Sequence, residues 1–213
     1  MNPLLQTKTE ITVDVETLKS KTVFKRERRE ALREMRDLRR CDNAREAIED
    51  FEKGVELYGL TKGLFSLTDI IVALLEKTGP AELFISTRTA AKSNVAKMIE
   101  LINSGKVVAS WWLVDFSFHR RSPELSMEIR GVFGDNAVRI AKNHSKFTLI
   151  RNSDWDIVVR TSMNLNQNPR LENFTIAHDP ELSTFLRDIL AEIWKTQDKD
   201  LAFKTWKEMC AKI

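Results

Sequence analysis

The chain has 213 residues, 42% of them hydrophobic and 31% charged, with only 7 Gly and 5 Pro, a balance that excludes collagen-like, low-complexity and wholly disordered chains. This length builds one domain, or one domain plus a small helical attachment, and no window of 18 uninterrupted apolar residues is present to span a membrane. The formal charge of +3 is too even to announce a polyanionic partner, and the two widely separated cysteines, Cys41 and Cys210, read as reduced thiols of a cytoplasmic protein rather than a disulfide framework.

In chain order, Met1–Glu10 lacks the basic-then-apolar order of a secretory signal. The first 20 residues hold a β-like alternation at Thr9, Ile11, Val13 and Val15. Charge then concentrates: Lys21–Arg40 carries nine basic and four acidic residues, a local +5. Such a stretch suits phosphate neutralisation, and its interleaved acids equally suit a solvated helix with Glu–Arg pairs at three- and four-residue spacing. Leu32, Met35, Leu38, Ile48, Phe51 and Val55 recur at helical spacing, predicting one long helix or two between Thr22 and Val55. The run Tyr58–Gly63, with glycines at both 59 and 63, reads as a connector. A boundary at residue 60 therefore separates an N-terminal arm and helical extension (1–60) from an α/β domain (61–213).

Ser66 and Asp69 mark a helix start, and Gly79-Pro80 stops that helix. Strand Glu82–Thr87, helix Lys92–Asn103, strand Val107–Val114 and a helix over Pro123–Arg130 come after it, the βαβα order of a sheet covered by helices. Four β-like runs come next: Ala137–Ala141, Ser145–Ile150, Asp156–Arg160 and Asn173–Ala177. Helices Glu181–Lys195 and Leu201–Lys212 close a mixed β-sheet flanked by helices.

Three histidines (His119, His144, His178) with no HxH, HExxH or cysteine cluster supply no zinc set. No Walker loop, GxGxxG or GxSxG elbow is present, so no cofactor is expected. What remains is His144-Ser145-Lys146 entering a strand, then Thr161-Ser162-Met163-Asn164, then Glu172. Residues two apart on a strand point the same way, so His144 and Lys146 would meet on one face, an imidazole beside an ammonium. Ser162 and Asn164 add a hydroxyl and an amide suited to phosphate oxygens, and Glu172 a carboxylate to hold the imidazole tautomer. Taken singly, each residue also fits a plain structural role, His144 capping a strand and Asn164, Asn166 and Asn168 forming turns.

In order, His144, Lys146, Ser162, Asn164 and Glu172 resemble the signature of the phospholipase D superfamily, an HxK with a Ser-x-Asn turn and a Glu further along. The resemblance covers roughly Phe65–Trp194 and implies one half-domain of that fold, with the imidazole as a metal-independent nucleophile on phosphorus. A single motif implies a homodimer that pairs two copies of His144, because the family's chemistry uses one histidine to attack and another to protonate the leaving oxygen. Two positions depart from the pattern. The family's Asp, seven residues after the His, falls on Arg151, and the Gly before Ser162 is Thr161.

The leading reading is a phosphodiesterase acting on nucleic acid, a nuclease without a membrane partner. Arg26, Arg29 and Arg33, together with Arg88, Arg120, Arg121 and Arg151, are the candidate nucleic-acid contacts. A binding module that kept the phosphate pocket without turnover is the alternative, and phospholipid cleavage ranks third. Neutral substitution of Arg26, Arg29 and Arg33 is expected to lower nucleic-acid affinity equally for unrelated sequences and to flatten its salt dependence, read by fluorescence anisotropy. Unchanged affinity at low ionic strength would make that stretch a solvated helical face.

Overall fold

The computed structural model describes residues 40–196. The β-like run at residues 9–15, most of the basic stretch with Arg26, Arg29 and Arg33, and the helix expected over Leu201–Lys212 lie outside the described residues. The described chain begins with a single helical turn, α1 (Ala44–Ala47), and strand β1 (Glu56–Thr61). Helix α2 (Leu67–Thr78) then starts as its sequence predicts: Asp69 N–H donates to Ser66 Oγ at 3.3 Å, and Ser66 N–H donates to Asp69 Oδ2 at 2.7 Å. Strand β2 (Ala81–Thr87), helix α3 (Lys92–Asn103) and strand β3 (Val107–Asp115) match the predicted alternation. Helices α4 (Phe116–Arg121) and α5 (Pro123–Phe133) lead to β4 (Val138–Ala141), β5 (Phe147–Arg151), β6 (Asp156–Thr161) and β7 (Glu172–His178). Helix α6 (Pro180–Thr196) ends the described residues.

Three expectations are corrected. The helix anticipated up to Val55 is reduced, within the described residues, to α1, where Asn43 caps one turn by accepting from Glu46 N–H. Tyr58–Gly63 is not a connector: β1 pairs antiparallel with β7 along its whole length, from Glu56 opposite Ala177 to Thr61 opposite Glu172. Gly59 belongs to that strand because the Phe174 ring lies on it, and a Cβ there would fall 2.2 Å from a ring atom. The boundary at residue 60 thus falls inside a strand, and Ile48 and Phe51 are already buried in the same core as α2. Finally, α4 was not foreseen; Asp115 starts it by accepting from Ser117 N–H at 2.9 Å.

The seven strands among the described residues form one mixed sheet in the order β1-β7-β6-β5-β2-β3-β4. Strands β2, β3 and β4 run parallel, whereas β5, β6, β7 and β1 alternate antiparallel outward from β2. One face carries the larger core, with Leu67, Ile70, Ile71 and Leu74 of α2, Val95 and Met98 of α3 and Ile129 of α5 against Leu83, Ile85, Trp112, Ile150, Val159 and Ile176 of the strands. The other face is covered by α6, whose Leu190 packs with Leu113, Leu149 and Val158. The result is the α/β class expected, a mixed sheet between helical layers. Among the described residues no helix is long and apolar enough to cross a membrane.

Gly59→Ala is expected to destabilise the protein by about 1–3 kcal/mol, because the Phe174 ring is buried and stacks edge-on against Phe65 at 5.8 Å, with little room to yield. Denaturant unfolding measures the loss. A neutral result would mean that the β1–β7 pair opens at no cost.

Candidate active site

Strand direction places the candidate residues. The carboxyl ends of parallel strands β2 and β3 lie at one edge of the sheet, the place where open α/β sheets present their sites. Because β5 runs antiparallel to β2, its amino end reaches the same edge, with Ser86 opposite Phe147. The end of β6 and the start of β7 adjoin it, with Phe147 opposite Arg160 and Thr161 opposite Phe174. His144, Lys146, Ser162, Asn164 and Glu172, spread over 29 positions of sequence, therefore gather along one row of strand ends.

His144 and Lys146 precede β5 rather than lying in it, a correction to the expectation of a strand from Ser145. They still meet. Lys146 Nζ donates to His144 O at 2.8 Å and stands 3.4 Å from His144 Nδ1. His144 is exposed and Lys146 half-buried. Burial holds the Lys146 amine below the usual lysine range, and the positive charge of Arg88 adds to this; Glu172 and Asp115 oppose it. Arg88 is accordingly a second cation at the same site, on the loop that leaves β2.

Ser162 and Glu172 are joined directly: Ser162 Oγ donates to Glu172 Oε2 and accepts Asn173 N–H at 2.9 Å. The other carboxylate oxygen accepts Asn168 Nδ2 at 3.0 Å. Glu172 was expected to hold the His144 imidazole; instead its two oxygens are taken by Ser162 and Asn168, because β7 delivers it beside the turn that comes after β6. Asn164 Oδ1 accepts Arg88 N–H at 3.2 Å, which ties the turn to the end of β2 and leaves the amide nitrogen as the donor available for an anion. Thr161 closes the turn, its hydroxyl donating to Asn173 O at 2.6 Å and accepting Met163 N–H at 2.9 Å.

The remaining arginines divide. Arg120 and Arg121 lie on α4, which leaves the same edge after Asp115; Arg120 is exposed and Arg121 folds back on Ser117, donating from Nε to Ser117 O at 3.1 Å. Arg151 is not brought to the site. It ends β5 at the opposite edge, ion-paired with Asp156, away from the phosphate position at which it was expected. Sequence reasoning missed Asn143, Asp115, Ser86 and Thr87, all at the site edge and all hydrogen-bonded around the segment that carries His144. The only sequence signal for them was position: Asn143 adjoins His144, and Asp115 sits where a strand passes into a helix. Among the described residues no cluster of three or more His, Cys, Asp and Glu side chains is arranged to hold a metal ion.

No protein-family model matches the sequence, and no curated protein matches it. Several solved structures are similar to it. The polyphosphate kinase of Porphyromonas gingivalis is 15% identical over 68% of this chain and 26% of its own length, with a TM-score of 0.48. NucT from Helicobacter pylori is 14% identical over 67% of this chain and 98% of its own, with a TM-score of 0.45. Nuc from Salmonella typhimurium, a phospholipase D family member, is 15% identical over 66% of this chain and 94% of its own, with a TM-score of 0.43. The likeness is partial in every case. At these identities and TM-scores it transfers no activity, substrate or assembly to this chain, whose function has to be read from the residues at the strand-end edge.

Removing Arg88 takes a positive charge away from Lys146, so Arg88→Ala should raise the pH at which the Lys146 amine titrates, and Glu172→Gln should lower it. NMR of the lysine side chain reads both shifts. No movement in either variant would mean that the two neighbours do not share a field with Lys146.

Proposed function

We propose that this edge is a phosphodiesterase site acting on nucleic acid, with His144 as the nucleophile in a homodimer. The observation that carries the reading is the contact of Lys146 with His144, 3.4 Å from Nζ to Nδ1, within one row that also holds Arg88, Asn164 and the Ser162–Glu172 pair. An ammonium and a guanidinium suit the two non-bridging oxygens of a phosphodiester, and the imidazole beside them suits attack on phosphorus. The nucleic-acid preference rests on Arg88, on Arg120 and Arg121 on α4, and on the basic stretch Lys21–Arg40.

The same contact sets the placement of the proton. While the charged Lys146 faces Nδ1, that nitrogen acts as the acceptor and the neutral ring carries its proton on Nε2. When Lys146 turns to a phosphate oxygen, Nδ1 is released to hold the proton and the Nε2 lone pair is freed. Attack by Nε2 forms the P–N bond as the P–O bond to the leaving oxygen breaks, and His144 of the partner subunit, entering the step as the imidazolium, gives that oxygen its proton and is left neutral. Water then breaks the P–N bond and gives its proton to that second imidazole. One imidazole cannot occupy both positions in one step, and this is the reason for two copies. Leu60, Leu64 and Leu171, each at least 60% exposed at the site end of β1 and ahead of β7, give a second copy an apolar surface to bury.

A binding module without turnover is favoured by one observation, the commitment of Glu172 to Ser162 and Asn168, which leaves the His144 ring without a carboxylate partner from that residue. Cleavage of single- and double-stranded DNA and RNA by wild type and His144→Ala, with and without a chelator, separates the two readings. The expected result is chelator-resistant cleavage that falls about a thousandfold or more in His144→Ala while binding is retained. Cleavage by His144→Ala at the wild-type rate, or by a species that light scattering shows to be monomeric, would overturn the two-histidine scheme. Binding without cleavage in wild type selects the module.

A further inference from the structure

The segment that delivers His144 has no strand to lie against. Strand β4 is at one margin of the sheet and β5 is separated from it by β3 and β2, three spacings or about 14 Å. Five residues, Lys142 to Lys146, make the crossing, and the six steps from Ala141 to Phe147 reach about 20 Å when fully extended. The segment therefore crosses the ends of β3 and β2 with room for no more than a tight turn. Apart from Lys146 O, which accepts Thr161 N–H at 3.2 Å, its backbone groups take no ladder bond over those strand ends, so side chains anchor it.

Asn143 does so. It is only 6% exposed and sits between the two strand ends, donating from Nδ2 to Ser86 Oγ at 2.9 Å, Leu113 O at 3.1 Å and Thr87 O at 3.4 Å. Its own N–H donates to Asp115 Oδ2 at 3.0 Å. Its Oδ1 turns forward and accepts both Ser145 N–H, at 3.0 Å, and Ser145 Oγ, at 2.5 Å. An oxygen of residue 143 bound to the N–H of residue 145 is an Asx turn, and the residue at its centre is His144.

Resting on the reading of His144 as nucleophile, we infer that Asn143 is the positioning residue of the site, holding His144 at the middle of an Asx turn clamped to β2 and β3. Asn suits the place because it offers two donors to strand-end acceptors and one acceptor to Ser145. Asp would set a carboxylate against Leu113 O and Thr87 O and beside Asp115, whereas Ala would leave those acceptors unpaired. Such an anchor acts on the reacting imidazole through orientation, which is sensitive to displacements of about 1 Å.

The test uses the full chain and bis(p-nitrophenyl) phosphate as probe. Asn143→Ala and Asn143→Asp are expected to lower kcat about a hundredfold or more with KM within threefold of wild type. In the His144→Ala background Asn143→Ala is expected to cost nothing further, because the effect passes through His144. Ser145→Ala keeps the backbone half of the turn and should retain kcat within about fivefold. If neither the probe nor nucleic acid is cleaved by wild type, the functional reading has failed, and the placement of His144 is read instead from its rate of modification by diethyl pyrocarbonate and its imidazole NMR signals. These should change in Asn143→Ala and stay as in wild type in Ser145→Ala. Where Asn143→Ala fails to fold, the comparison is made with Asp115→Asn, which weakens the bond to Asn143 N–H. Unchanged kcat, or an unchanged imidazole signal, in a folded Asn143 variant would overturn the inference.

Discussion

The reversal of chain direction between β2 and β5 is the constraint on which the remainder of the molecule depends. On one side of that pair the sheet is parallel, built from β2, β3 and β4; on the other it is antiparallel, through β5, β6, β7 and β1. Parallel strands need long crossovers and place their carboxyl ends together, while antiparallel strands alternate beginnings with ends. Joining the two kinds at β2 sets the end of one element and the beginning of another side by side. Chemistry from three distant stretches, 143–146, 161–164 and 172, is thereby collected without any long loop reaching across the fold.

The same reversal creates a need. Having finished the parallel half at β4, the chain must return over two strand ends before it can begin β5, and there the ordinary ladder bonds are unavailable. The fold meets this with side chains: Asn143 between Ser86, Thr87 and Leu113, and Asp115 both starting α4 and accepting Asn143 N–H. A buried polar network of this kind specifies one arrangement, because any group left unpaired loses a bond at full desolvation cost. His144 is exposed yet held by a buried neighbour. The turn after β6 is secured in the same manner, by Thr161 to Asn173 and Asn164 to Arg88 N–H.

Electrostatics at the edge is mixed rather than uniformly basic. Lys146 and Arg88 bring positive charge, and Glu172 and Asp115 bring negative charge close enough to act on Lys146. Burial of the amine, together with the charge of Arg88, outweighs that support and leaves its proton less tightly held than that of a solvated lysine. Arg151 is excluded from this balance. Its pairing with Asp156 closes the hairpin at the opposite edge, where Ser183 of α6 also donates to Asp156 Oδ1 at 3.3 Å.

The sequence by itself determined the α/β class, the extent of α3, the start of α6 to within a residue and the starting cap of α2, because periodicity and caps are local properties of the chain. It misread Tyr58–Gly63, since a glycine that ends an element and a glycine that makes room for an aromatic ring across a strand pair look alike until Phe174 is in place. It assigned Glu172 to His144 and Arg151 to the phosphate because order along the chain says nothing about which strand end a residue occupies. Only the tertiary structure decided those partners, and only it exposed Asn143, whose role exists because three strand spacings must be crossed in five residues. Register and strand direction are properties of pairs of segments, and no single segment carries them.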